Sequence, residues 1–269
     1  MIYILLILFL FFIGFSYKYA WWKASVDWNQ PRVLMYHMVR EHIAAAKFNK
    51  LRVKPSEFEK QIRWMKQQGF HFVTMQQLQD QWGQHPEKTV AITFDDGYLD
   101  NLEQAFPILE KYNVPATIYV VVDRHERDWS TYKKAHHNSG ELMREAKLSD
   151  QQVQFLAQTG LIEIGSHTMT HANLAQLNDE QCLAELVQSK QALEQMTRQT
   201  INSFAYPFGI YSERDVLMAK QAGYSNAVTT IEGIDEAHAD LMQLKRIKIS
   251  GKDSLFAVKC RLRLGQRGL

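Results

Sequence analysis

The first seventeen positions show no alternation of apolar and polar residues: Met1 to Tyr17 carries no charged side chain and is Ile, Leu and Phe almost throughout. As a helix rising about 1.5 Å per residue it spans roughly 26 Å, close to the thickness of a bilayer core, with no polar face to turn to water. Tyr17, Tyr19, Trp21 and Trp22, interleaved with Lys18 and Lys23, are the aromatic and basic trim expected where a helix leaves a membrane. With no basic start and no A-x-A pattern behind it, the block is expected to be an uncleaved anchor over 1–22 rather than a signal peptide, followed by a juxtamembrane linker over 23–30.

Beyond Pro31 the pattern changes to short apolar runs with helical spacing between them. The runs at 33–36, 72–74, 90–94, 117–122, 162–164, 204–206, 227–229 and 247–249 are expected to be strands. Phe58, Ile62 and Met65 fall at i, i+4 and i+7 between Pro55 and Gly69, which predicts an amphipathic helix with a start and a stop. Ser149, Asn178 and Ser212 open three further helices, running to Gly160, about Thr197 and Gly223; Gln181 and Asp215 stand three places past their caps. Strands alternating with helices predict an α/β fold with a parallel sheet, open or closed into a barrel. In either form, chemistry collects at the C-terminal strand ends.

Composition narrows this. Only 13 Gly and 6 Pro, with 46% hydrophobic residues in 269, exclude a disordered or fibrous chain. The absence of a repeat or a Gly/Ser linker assigns one domain to 31–250. Thirty-one Lys and Arg against 29 Asp and Glu leave +2, so bulk charge does not argue for nucleic acid. Cys182 and Cys260 cannot build a cysteine zinc site, and they form either one long-range disulfide or two free thiols. Residues 251–269, with Lys259, Arg261, Arg263 and Arg267, are expected to be a solvated basic tail.

Candidate chemistry lies in two motifs. TFDDG ends the 90–94 run, placing Asp95 and Asp96 side by side before Gly97; neighbouring side chains at a strand end diverge, so one carboxylate can hold a metal while the other acts as a base. HTMTH follows the 162–164 run, with His167 and His171 four positions apart and able to aim at one point. Alone, each has an ordinary reading as a turn or surface pair. Together, Asp96, His167 and His171 make a three-ligand set that leaves a coordination position for water, as in a catalytic zinc site.

On these motifs the stretch from about Pro31 to Ile249 resembles the metal-dependent polysaccharide deacetylases, carbohydrate esterase family four. LMYH at 34–37, the Phe58 to Gly69 helix, EIGSHT at 163–168 and FAYPFG at 204–209 make it similar to the poly-N-acetylglucosamine deacetylase branch. The resemblance implies a distorted (β/α) barrel, a divalent metal with zinc the expected ion on Asp96, His167 and His171, Asp95 as general base, and a Phe208 backbone N–H for the oxyanion. Two positions depart from the family pattern: Ala205 stands where R-x-P-Y-G has its arginine, and Leu244, Lys245, Arg246 stand where Leu-x-His supplies an acid. The branch implies that His37 takes over as acid; its bland reading is a packed core histidine, and His42, His136 and His137 are weaker candidates.

The expected activity is hydrolytic N-deacetylation of an N-acetylhexosamine, releasing acetate. The anchor favours a substrate at the membrane: a lipid-linked amino sugar, lipopolysaccharide or emerging exopolysaccharide. No nucleic acid and no obligate protein partner are expected. Lys18, Lys23, Arg32 and Arg40 follow the span and by the positive-inside rule favour a cytoplasmic domain, whereas the resemblance favours the outer side of the cytoplasmic membrane. The alternatives are an inactive, anchored glycan-binding module and a metal-dependent esterase or amidase acting on another acyl group.

Overall fold

Residues 1–129 and 139–268 are described by a computed structural model. Each apolar run forms a strand, and two short strands join them. In chain order they are β1 (Arg32–Tyr36), β2 (Met38–Val39), β3 (Arg52–Val53), β4 (His71–Val73), β5 (Thr89–Phe94), β6 (Ala116–Val120), β7 (Ile162–Ser166), β8 (Ser203–Ala205), β9 (Asn226–Glu232) and β10 (Leu244–Lys248). The ring runs β1-β10-β9-β8-β7-β6-β5 and closes back on β1, all pairs parallel, in register from Arg32 opposite Val90 to Tyr36 opposite Phe94. The sheet is therefore a seven-stranded barrel; β4 pairs beside the start of β5, and β2 and β3 form a separate ribbon.

Period-two alternation sorts the strands' side chains. Val90, Ile92 and Phe94 of β5 pack in the outer core, whereas Ala91 joins Val33, Tyr119, Ala205, Val228 and Leu244 in a separate cluster that fills the barrel. The same alternation turns Thr93 and then Asp95 inward.

The helices are α1 (Ile2–Tyr19), α2 (Pro55–Gln67), α3 (Met75–Asp80), α4 (Phe106–Tyr112), α5 (Glu141–Arg144), α6 (Asp150–Gln158), α7 (Asp179–Thr197), α8 (Glu213–Gln221) and α9 (Leu255–Leu264). Helices α6, α7 and α8 begin with capping boxes at Ser149, Asn178 and Ser212, so each satisfies two of its otherwise orphaned N–H groups locally. Helix α3, which no long apolar period announces, closes one mouth of the barrel. Met75 and Leu78 enter the inner cluster, the Met75 N–H donates to Thr117 Oγ1, and the Gln76 N–H donates to Glu163 Oε2. Thr117 and Glu163 lie at the N-terminal ends of β6 and β7, so only the C-terminal mouth remains open.

The basic C-terminal stretch differs from expectation. Instead of a solvated tail it contains α9, whose Val258, Cys260, Arg261 and Leu262 are buried, and Arg261 Nη2 sits 2.9 Å from Asp253 Oδ2. Its apolar positions supply a face that packs on the barrel, and Asp253 neutralises a charge that would otherwise be costly to bury. The 23–30 segment packs against it, with the Val26 N–H donating to Arg263 O. Cys182 and Cys260 are both buried free thiols. None of the residues of α1 is buried, and its mean hydropathy is 2.0.

Candidate active site

At the open mouth, β5 runs straight into Asp95, and the chain then reverses through two left-handed residues, Asp96 at φ 79° and Gly97 at φ 68°. A non-glycine residue holds that conformation only where its surroundings impose it. Thr168, His171 and Phe208 also have positive φ, at 68°, 59° and 58°, so strained backbone gathers around this one cleft. The cleft has a volume of about 420 Å³ and is lined by Asp95, Asp96, His167, His171, His37 and Phe208 among others.

The structure brings the three expected metal ligands together. The Nε2 atoms of His167 and His171 each lie 3.4 Å from Asp96 Oδ1, and ligand atoms of the three residues all lie within 4.8 Å of one another. His167 donates its Nδ1–H to the Ala205 carbonyl at 2.7 Å, which fixes the ring with Nε2 facing the other two. His171 is clamped by its neighbours: its ring stacks on Trp129 at 4.5 Å and meets Phe208 edge-on at 4.3 Å. Burial pushes the His171 imidazole down to about 4, so it is neutral and able to ligate at physiological pH. Burial works against ionising Asp96, but its hydrogen bonds with His167 and His171 hold the carboxyl well below its ordinary value. Two imidazoles and one carboxylate, all buried, fit a divalent ion such as zinc.

Asp95 has a different setting. Arg246, fully buried inside the barrel, grips it with both arms, Nη1 at 2.7 Å from Oδ1 and Nη2 at 2.8 Å from Oδ2. Burial raises the Asp95 carboxyl, and the guanidinium outweighs that and keeps it below its ordinary value. Arg246 is itself placed by bonds from Nε to Thr229 O and from Nη1 to Thr93 Oγ1. This contact was missed in the sequence, where Arg246 counted only as an absent histidine. The available signal was period-two alternation, which puts Arg246 on the same side of its strand as the inward-packed Leu244.

His37 is half-buried at the end of β1 and lines the same cleft. Its carbonyl accepts the Asn101 Nδ2–H at 2.8 Å, while the neighbouring Asp100 accepts the Val39 N–H at 2.9 Å, so the turn after β1 is tied to the segment after TFDDG. Phe208 sits in the Pro207–Gly209 turn, beside His171. A Cβ at Gly209 would fall 1.8 Å from Thr230 Oγ1, so that turn requires glycine. His42 instead bonds the Arg52 carbonyl, and His136 and His137 lie outside the described residues.

A closed parallel barrel thus carries, at its open mouth, a carboxylate-imidazole set that could hold a metal ion and a separate, arginine-held carboxylate, groups suited to a hydrolase. The polysaccharide deacetylase family profile matches residues 83–227, and the chain belongs to that family. It is 32% identical over 86% of its length, and 75% of the relative's, to the Bacillus subtilis protein YxkH, whose name places it among polysaccharide deacetylases. It is 25% identical to a Staphylococcus aureus poly-beta-1,6-N-acetyl-D-glucosamine N-deacetylase, over 85% of this chain and 81% of that one. The Streptococcus pyogenes deacetylase PplD, solved in complex with acetate, superposes with a TM-score of 0.73 at 28% identity, covering 87% of this chain and 97% of that one. A polysaccharide deacetylase from Bacillus cereus gives 0.73 at 27%, covering 87% and 69%. The chain is thus an enzyme acting on the amide of N-acetylated sugars.

Proposed function

We propose that the chain removes the acetyl group from an N-acetylhexosamine in a glycan held at the membrane, by metal-dependent hydrolysis. One observation carries the reading: two carboxylates adjacent in sequence are given separate environments, Asp96 facing two imidazole nitrogens and Asp95 facing a guanidinium. That division suits an amide hydrolase, which needs a charged ligand and a separate base.

Asp96, His167 and His171 would hold the ion, with zinc the expected metal. When bound, such an ion lowers the pKa of a water and polarises the acetyl carbonyl. Asp95, kept ionised by Arg246, accepts the proton of the attacking water. The Phe208 backbone N–H stabilises the oxyanion, and His37 donates a proton to the departing nitrogen. Acetate leaves, and the glycan gains a free amine.

The anchor supports a substrate at the membrane, because a span with no buried residue has no role inside the domain. The preference for an extracytoplasmic domain rests on the family's habit against a modest basic bias. Asp95→Asn tests the assignment: bound zinc should be retained while acetate release falls by about 10² or more. Acetate release that survives this substitution would move the base elsewhere. Removal of the ion by a chelator should abolish release, and added zinc should restore it. A panel of N-acyl and O-acyl sugars separates the deacetylase from an esterase or amidase on another acyl group.

A further inference from the structure

The active-site cleft does not end at the catalytic residues. It shares His37, Lys50 and Lys248 with a second hollow of about 270 Å³, and that hollow shares Arg261 and Arg267 with a third, bounded by Lys18 and Tyr19 at the end of α1. The three form one path from the reacting carboxylates to the membrane helix.

The charge along that path is lopsided in a chain whose net charge is only +2. Its acids besides the active-site pair are Glu232 and Asp253, and both are spent on arginines. Arg261 pairs with Glu232 at 3.4 Å and Asp253 at 2.9 Å, and Arg267 pairs with Asp253 at 2.7 Å. Arg261 also donates to the Lys248 carbonyl, so it works as a strut that holds the groove. Lys50, Lys248, Lys252 and Lys18 line the path with no ion-pair partner among the described residues. Beside the third hollow, Tyr19 of its lining meets the Phe256 ring at 5.2 Å, Phe15 stacks on that ring at 5.7 Å, and Phe256 remains 44% exposed.

We infer that the substrate carries a phosphate next to its N-acetylated sugar: the sugar lies in the active-site cleft, the phosphate on Lys50 and Lys248, and an attached lipid chain runs toward Phe256 and α1. This rests on the deacetylase and anchor readings above and specifies their substrate. Unpaired ammonium groups are point charges suited to phosphate. The order of sugar site, cationic groove and apolar helix matches the order of sugar, phosphodiester and lipid in a lipid-linked glycosyl phosphate. A neutral polymer would leave Lys50 and Lys248, between its site and the membrane, with no charge to meet.

The test uses the full chain in detergent, with four substrates: a neutral N-acetylglucosamine trisaccharide, N-acetylglucosamine 1-phosphate, the same phosphate esterified to a ten-carbon isoprenoid, and an N-acetylhexosamine disaccharide bearing a uronate. Wild type should prefer the phosphate-bearing substrates over the neutral one in kcat/KM by about ten-fold or more, the equivalent of about 1.4 kcal/mol. Lys50→Gln with Lys248→Gln should reduce that preference by about ten-fold, mainly through KM, while Lys111→Gln on α4 changes nothing. Phe256→Ser should lower only the advantage of the isoprenoid ester over the free phosphate, which separates a lipid contribution from phosphate alone.

Equal kcat/KM on neutral and phosphate-bearing substrates overturns the inference, as does an equal preference for the uronate. Loss of binding to phosphatidylglycerol vesicles by the double variant, with substrate preference unchanged, would assign the lysines to the membrane surface and also overturn it. Absence of acetate from every substrate would defeat the deacetylase reading instead. Titration of the isoprenoid phosphate onto Asp95→Asn, with and without the two lysine changes, then decides the groove by itself: about ten-fold weaker binding supports it, and unchanged binding rejects it.

Discussion

Arg246 spends its donors on the Asp95 carboxylate, Thr93 Oγ1 and the Thr229 carbonyl. Replacing it by Met leaves a buried carboxylate without its partner, which costs about 3–5 kcal/mol. Arg246→Met should therefore show a markedly lowered melting temperature. Arg246→Lys keeps the charge and loses the two-armed grip, so it should stay folded and release acetate more slowly through kcat; unchanged kcat would mean that Asp95 needs no such positioning. Asp100 gives a pH signature. Burial raises its carboxyl to about 7, so the folded protein keeps a proton that the unfolded chain has already lost. Its contribution to stability is full below about pH 4 and disappears as pH rises through about 7. Asp100→Asn should flatten the fall in melting temperature between pH 5 and 8. Asp95, Asp96, His167 and His171 were legible at this scale because each pair is close in sequence on one strand end. Arg246 was not, because its partner lies 151 positions away.

Elements divide by how local their causes are. The caps at Asn178 and Ser212 could be placed from three-residue spacings and that at Ser149 from its residue type, since a capping box is closed within its own turn. Asn178→Ala should cost about 1 kcal/mol in a denaturant titration and leave acetate release untouched, because it removes only local bonds of α7. Gly209→Ala is the contrasting case. The added methyl meets Thr230 Oγ1 at 1.8 Å and the residue keeps a strained φ of 65°, so the turn that carries Phe208 must move. Acetate release should fall by about 10² with the binding of added metal nearly unchanged, since misplacing a group by about 1 Å costs that much. Among the elements that were not anticipated, α3 and α9 are short or weakly patterned segments stabilised by what they pack on: α3 by the barrel mouth, and α9 by the outer core and Asp253.

For the molecule as a whole, α1 touches the domain chiefly through Phe15 and Tyr19 on Phe256. The barrel's own core lies elsewhere, so a chain lacking residues 1–22 should fold, leave the membrane fraction and still release acetate from soluble oligosaccharides. Failure to fold would mean that the buried Ala20 and its neighbours complete the domain. The closed ring also explains why the site faces one way. With α3 plugging the opposite mouth, a glycan can approach only over the C-terminal strand ends, where the cleft opens.

What the amino-acid sequence determined by itself was everything governed by short-range periodicity. It set the alternation of eight apolar runs with amphipathic helices, the capped helix starts, the apolar N-terminal span, and the two motifs that carry both carboxylates and both histidines. It left open whether the sheet closes, because an open and a closed parallel sheet have the same alternation and differ only in whether β1 pairs with β5. Closure decided the rest. It turned Arg246 from an apparent loss into the partner of Asp95, while the pairing of β7 with β8 brought the Ala205 carbonyl to His167. The packing of α9 then set the end of α1 and the basic C-terminal residues beside the hollows that adjoin the catalytic cleft.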